Sequence, residues 1–199
     1  MPKIVDHDVR REEYVDALWR VVSRDGAGGI SVRSVAAEAG VSPSNVVHYL
    51  PSRSEMLGEA MRRLVAGAIG EAVRVDRRKM GLEGATEMAL AAIPRTPKRR
   101  KQSEIWLLLL AEQEVNPAAR MILDELQGSV RNGIGRLIDW MAEAGLVSAT
   151  RDRVTETGRL HALIDGLSLQ TLINPSVTTP KEIELLVRAH LSELGQPAH

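Results

Sequence analysis

VSPSNVVHYLPSRSEML, residues 41–57, packs two proline stops, a run of small polar residues, a His-Tyr pair and a helix-start signal into seventeen positions. Ser42 is a good N-cap, and Pro43 falls at the first helical position, where its missing N–H is no loss. The helix they open has room only to about Tyr49, because Pro51 drives the residue before it out of the helical region. Ser52 restarts the chain, and Glu55 completes the S-x-x-E signature of a capping box ahead of a long helix reaching about residue 75. A very short helix is thus held at both ends, with Ser44, Asn45 and His48 at i, i+1 and i+4 on its outer side.

Upstream, Val15, Leu18 and Val22, with Ala17 and Val21 beside them, mark an amphipathic helix over roughly 8–25. The GAGG run at 26–29 ends it. Ser31 caps VRSVAAEA, which Gly40 closes. Residues 1–50 therefore read as three short helices, the second and third joined by a tight glycine-containing turn: the layout of a helix-turn-helix. Downstream the pattern stays helical. GLEGATEMALAAI gives a short helix ending at Pro94, TPKRRK reads as a basic loop, and 103–115 is an apolar helix ending at Asn116-Pro117. Residues 118–144 place Ile122, Leu126, Val130, Ile134, Leu137, Ile138 and Met141 on one face, up to Gly145. Residues 152–173 align Leu160, Leu163, Ile164 and Leu167, and Thr179, Pro180 and Glu182 start a last helix running to about Leu194. No segment alternates with strand period, so the chain is expected to be all-α with about nine helices.

Composition narrows the class. An apolar share of 44% is ample for a core, yet no apolar run is long enough to span a bilayer. IWLLLLA at 105–111 is bounded by Glu104 and Glu112 and reads as a buried helical segment. The opening MPKIVDHDVRREE lacks the apolar stretch of a signal peptide, so nothing in it directs export. There is no cysteine, which removes disulfides, thiolate metal sites and thiol nucleophiles and fits a cytoplasmic setting. Lys and Arg total 26 against 26 Asp and Glu, and residues 1–63 carry nine of each sign. A DNA-binding face must therefore come from arrangement, not from bulk charge.

ISVRSVAAEAGVSPSNVVHYLPSRSEML, 30–57, resembles the DNA-binding domain of TetR-family transcriptional regulators. Ser31, Val35, Ala36, Ala39, Gly40, Val41 and Ser42 match the first part of that pattern, and Pro51, Ser52 and Arg53 the last. Two positions depart from it: Val47 stands where the family commonly has a phosphate-touching Tyr, and Leu50 where it has a core Phe. Trp106, Asn116-Pro117, Gly145-Leu146 and Ile164-Asp165-Gly166-Leu167 resemble the choline-sensing-repressor branch. The resemblance implies a helix-turn-helix DNA-binding domain over 1–52 and a larger helical ligand-binding and dimerisation domain over 53–199.

In a helix-turn-helix the second helix enters the major groove with its first turns against the base edges. Ser44, Asn45 and His48 are the candidates there; Asn pairs bidentately with adenine, and Ser donates or accepts with several bases. Tyr49 offers a hydroxyl to a phosphate. Ser31 and Arg33 open the second helix, and Ser42, Ser52 and Arg53 stand at the next two helix starts, where free amides favour an anion. Each has a plainer role beside the DNA role: caps for Ser31, Ser42 and Ser52, core for Tyr49, solvated surface for His48. One such module touches few base pairs, so a twofold dimer on a near-palindromic duplex is expected. By the family's pattern the dimer forms through the last two helices, 152–173 and 180–194, although intrachain burial would give them the same apolar faces.

The resemblance also implies a pocket for a small-molecule effector. Met88, Trp106, Leu109, Leu110, Gln113, Met121, Trp140 and Met141, with Glu112, are the candidate lining, or else ordinary core. No cofactor or metal is implied. The run PRTPKRRK carries five basic residues between 95 and 101 and reads as a solvated loop. An enzyme has little support: neither G-x-x-x-x-G-K nor H-E-x-x-H occurs, and His161 with Asp165, four apart, reads as a helix-stabilising contact. The expectation is a ligand-responsive repressor released from duplex DNA by its effector; the alternatives are an activator, or a helical dimer acting through protein binding.

Overall fold

The computed structural model describes residues 7–74 and 81–197. Two sequence expectations fall outside them: the stretch before residue 7, part of the segment read for an export signal, and residue 75 as the end of the fourth helix. The described residues form nine α-helices and no strand: α1 (His7–Asp25), α2 (Val32–Ala39), α3 (Pro43–Tyr49), α4 (Arg53–Val73), α5 (Leu82–Leu90), α6 (Pro97–Glu112), α7 (Pro117–Glu143), α8 (Arg153–Ile173) and α9 (Pro180–Glu193). A single 3-10 turn, Ala27–Gly29, joins α1 to α2. The all-α expectation holds. Among the described residues no helix is long and apolar enough to cross a membrane.

The helices gather into two compact units, residues 1–64 with 98–125 and residues 65–97 with 126–199. In the first, α1 lies against α2 and α3, and α2 against α3. Ala17, Leu18, Val21 and Val22 of α1 are fully buried, as are Val35 of α2, Val46 of α3 and Leu50 just beyond it. Each such Val or Leu contributes roughly 1.5–3 kcal/mol by leaving water, which is what holds helices this short in place. The α2–α3 turn depends on Gly40, whose φ of 68° lies in the left-handed region that a side chain would strain. The N–H of Val41 then reaches the Ala36 carbonyl at 3.0 Å, closing α2.

Ser31 caps α2 reciprocally: its Oγ accepts the Ser34 N–H at 3.1 Å, and the Ser34 Oγ accepts the Ser31 N–H at 2.9 Å. Two other caps differ from expectation. Ser42 precedes α3, but its hydroxyl pairs with that of Ser44 at 2.9 Å, so the start of α3 rests on Pro43. The Ser52 Oγ accepts the Glu55 N–H at 3.0 Å, yet the Glu55 carboxylate goes to Arg11 at 2.8 Å instead of back to Ser52. A larger correction concerns TPKRRK, which is not a loop. It supplies the first turns of α6, which runs from Pro97 to Glu112 and not over 103–115. Pro97 presets the first turn, and Lys and Arg are strong helix formers, so charge concealed a helix that apolar spacing alone did not register. Lys101 Nζ donates to the Ser23 carbonyl at 2.6 Å, satisfying an orphan acceptor in the last turn of α1.

A charged network ties α1, α4 and α7 within this unit. Arg11 Nη2 stands 2.8 Å from both Glu55 and Glu59, and Arg62 reaches Glu59 at 3.2 Å and Glu125 at 3.0 Å. The hydrogen bond from Arg62 holds the Glu125 carboxyl below its ordinary range. Next to the network α4 and α7 touch closely: a Cβ at Gly58 would stand 2.8 Å from a methyl of Ile122.

The second unit is a bundle around one core. Ala85, Ala89 and Leu90 of α5, Ile134, Leu137, Ile138 and Met141 of α7, Leu160, Ile164 and Leu167 of α8, and Ile183, Val187 and Leu191 of α9 are buried together. The segment before α8 and the chain beyond α9 are joined by the Ser148 N–H on the Leu194 carbonyl and Arg151 Nε on the Gln196 carbonyl, both 2.8 Å. Arg151 and Glu156 form a nearly buried ion pair at 2.8 Å.

Gly58→Ala is expected to destabilise the protein by about 1–3 kcal/mol in chemical denaturation, because the added methyl meets Ile122. Gly67→Ala, with open space at the same helix, is expected to be neutral or to stabilise by up to about 1 kcal/mol. Since the folded Glu125 carboxyl titrates lower than the unfolded one, its stabilisation is complete at neutral pH and is lost as acid protonates it. Glu125→Gln should therefore lower stability at pH 7 and flatten the acid limb of a stability–pH curve.

Candidate nucleic-acid interface

The two faces of α3 have opposite chemistry. Val46 and Leu50, four residues apart, are buried, while Ser44, Asn45 and His48 are exposed. Among the described residues nothing takes up the Asn45 amide; the exposed His48 ring stands 5.9 Å from that of His7, and Ser44 keeps one bond, to Ser42. Tyr49 is half-buried. Its ring centroid lies 4.4 Å from His7 and 5.5 Å from Tyr14, and the His48 ring stands edge-on to it at 4.9 Å. These contacts seat the Tyr49 ring of α3 against α1 and help fix how α3 is presented. Val47, in the place of the family's Tyr, is 42% exposed and brings no polar group to that surface.

The cations around α3 are mostly engaged. Arg20 and Arg24 both bond Glu38 of α2, at 2.8 and 2.7 Å, and hold its carboxyl below the ordinary range. Arg10 pairs with Glu13 at 2.7 Å. Arg33, exposed at the start of α2, forms no ion pair among the described residues. Arg53 is drawn to Glu112 of α6 at 2.6 Å, with its Nε 3.4 Å from the Ile30 carbonyl, next to Ser31. Ser31 and Ser52 are exposed and work as caps.

The residues proposed for an effector do not fall in one unit. Trp106, Leu109, Leu110, Gln113 and Met121 belong to the first, and Met88, Trp140 and Met141 to the second. Leu109 and Met141 are fully buried, whereas Met121 is 72% exposed. Met88 and Trp140 pack on the core of the second unit, and the Trp140 indole N–H is buried without a hydrogen-bond partner among the described residues. An open hollow in the first unit, lined by Asp16, Trp19, Arg20, Ser23, Arg63, Leu64, Lys98 and Gln102, contains none of these eight residues. On α8, His161 Nε2 stands 3.6 Å from Asp165, too far for a direct hydrogen bond, and burial raises the Asp165 carboxyl above its ordinary range.

Residues 81–196 match the model of the BetI-type transcriptional repressor C-terminal domain. The chain belongs to the TetR family, with a BetI-type C-terminal part. The HTH-type transcriptional regulator BetI of Brucella suis is 37% identical over 202 residues, covering 100% of this chain and 98% of its own. The HTH-type transcriptional regulator PksA of Bacillus subtilis is 28% identical over 196 residues, covering 98% and 94%. A solved structure of a transcriptional regulator from Saccharomonospora viridis in complex with choline superposes with a TM-score of 0.70 at 24% identity, covering 94% of this chain and 95% of that one. The protein is thus a transcriptional regulator of the TetR/BetI type, the family indicated by the 30–57 motif and the branch by residues such as Trp106 and Asn116-Pro117, and the enzyme reading lapses with that assignment.

Sequence reasoning missed the partners of Arg53. Glu112 Oε1 takes Arg53, its Oε2 accepts the Ser54 hydroxyl at 2.6 Å, and Asn116 Nδ2 donates to Ser54 at 2.7 Å. Glu112 lies 59 residues from Arg53, and no local spacing links them. Leu50→Ala is expected to cost about 2–5 kcal/mol in denaturant, because it empties a closed site. Asn45→Ala, on the exposed face, should stay within about 0.5 kcal/mol of wild type in the same titration.

Proposed function

We propose that this regulator binds a near-palindromic operator as a homodimer, represses by occupying promoter DNA, and is released by a small-molecule effector. The observation that carries the reading is the α3 surface: a helix with a fully buried apolar side and a free row of Ser44, Asn45 and His48 suits the major groove. Arg33 and the amides at the starts of α2 and α4 would meet phosphates beside it, while Arg53 is paired with Glu112. Residues 1–52 would serve as the reading head and 53–199 as the regulatory part, in a cytoplasmic protein.

The exposed apolar side chains support the dimer. Leu160, Ile164 and Leu167, which the sequence alone left open between core and interface, lie in the intrachain core. A second row remains in solvent: Val154, Leu169 and Ile173 on α8, and Leu185 and Leu186 on α9, each at least 41% exposed. A second copy of the chain would cover it. For the effector, the unpartnered Trp140 N–H is a buried donor for which a ligand would supply the acceptor. Choline, present in the Saccharomonospora viridis regulator, is the first compound to test.

Selection of genomic fragments by the purified protein at two salt concentrations, beside an Asn45→Ala/His48→Ala variant, tests the reading. The expected result is one shared near-palindrome, absent with the variant and bound less tightly as salt rises. Recovery of no fragment, before or after refolding to strip bound effector, would defeat it.

A further inference from the structure

We infer that Glu112 masks Arg53, so that this cation contributes little to the DNA affinity of the protein until the carboxylate is removed. The inference rests on the DNA-binding reading above and concerns how strongly that surface holds phosphate. Arg53 is the first residue of α4, where free amides and a cation together would grip a phosphate. In the structure its Nη1 lies 2.6 Å from Glu112 Oε1, and the side chains are 41% and 22% exposed.

The carboxylate does not depend on Arg53 for its position. Its other oxygen accepts the hydroxyl of Ser54 at 2.6 Å; Ser54 is 2% exposed and takes a further bond from Asn116 Nδ2 at 2.7 Å. Swinging Glu112 aside to free the arginine would leave the buried Ser54 hydroxyl without its acceptor, which is unfavourable. A phosphate arriving at Arg53 therefore meets a fixed negative charge behind the guanidinium. Arg20 and Arg24 are offset in the same manner by Glu38, so the pairing of Arg53 extends the neutral balance of the head to its α4 edge. What sets Arg53 apart is that its anion comes from α6, 59 residues away.

The test measures duplex binding across a salt series for wild type, Glu112→Gln, Arg53→Ala and the double variant, using a fragment recovered by the selection. Masking predicts that Arg53→Ala changes wild-type affinity by less than about twofold and leaves the salt slope unchanged. Glu112→Gln should bind several-fold more tightly and steepen the slope by about 0.9, the increment of one added phosphate contact. The double variant should return to the Arg53→Ala values, which a loss of packing at Glu112 would not produce. A tenfold loss for Arg53→Ala in the wild-type background overturns the inference whether or not Glu112→Gln folds. Heparin retention by the same four proteins reads the masking without an operator. Later elution of Glu112→Gln, reversed by Arg53→Ala, supports it even if no duplex is bound, and elution with wild type defeats it. Failure of duplex binding by wild type alone would instead count against the DNA reading.

Discussion

The surface proposed to read DNA depends on burying two aliphatic side chains, Val46 of the seven-residue α3 and Leu50 just beyond it. A helix of that length has no stability of its own in water, since nucleation is unfavourable and so few turns follow. Its existence is owed to the apolar site that α1 and α2 provide, and its direction to the left-handed Gly40 that lets the chain double back. Tyr49, wedged among His7, Tyr14 and His48, completes the anchoring from the other end. The backbone that carries Ser44, Asn45 and His48 is thereby anchored to the core beneath it.

Charge is handled by pairing. Residues 1–63, with nine basic and nine acidic side chains, make no general positive field, so affinity of the proposed reading surface for a polyanion would depend on which cations are left unpaired. Arg20 and Arg24 are neutralised by Glu38, and Arg11 by Glu55 and Glu59. On the proposed reading, such an arrangement would trade bulk attraction for discrimination, because groove contacts would weigh more against non-specific phosphate binding. It also leaves the response to salt concentrated in a few residues.

The second unit follows a different principle. Its core is a continuous aliphatic cluster from four helices, closed at one end by the chain beyond α9 folding back on Ser148 and Arg151. α8 is apolar on two sides, one inside this core and one in solvent. The solvent side is the surface that the second copy of the chain in the proposed dimer would cover.

Much of this was legible in order of local signal. Prolines, glycines and capping residues act on their nearest neighbours, so helix boundaries around 31–57 and 152–194 could be read directly, as could the family from the spaced motif at 30–57. The start of α6 could not, because its first turns are cationic and carry no apolar period. Nor could the caps at Ser42 and Ser52 be apportioned, since their hydrogen bonds compete with Ser44 and Arg11 for the same groups. The sequence by itself determined every helix but the start of α6, which residues of α3 face outward, and what kind of regulator this is. Only the tertiary structure decided which charges remain free, because ion pairs such as Arg53–Glu112 join residues far apart in the chain, and Coulomb attraction depends on distance in space, which no spacing along a sequence encodes.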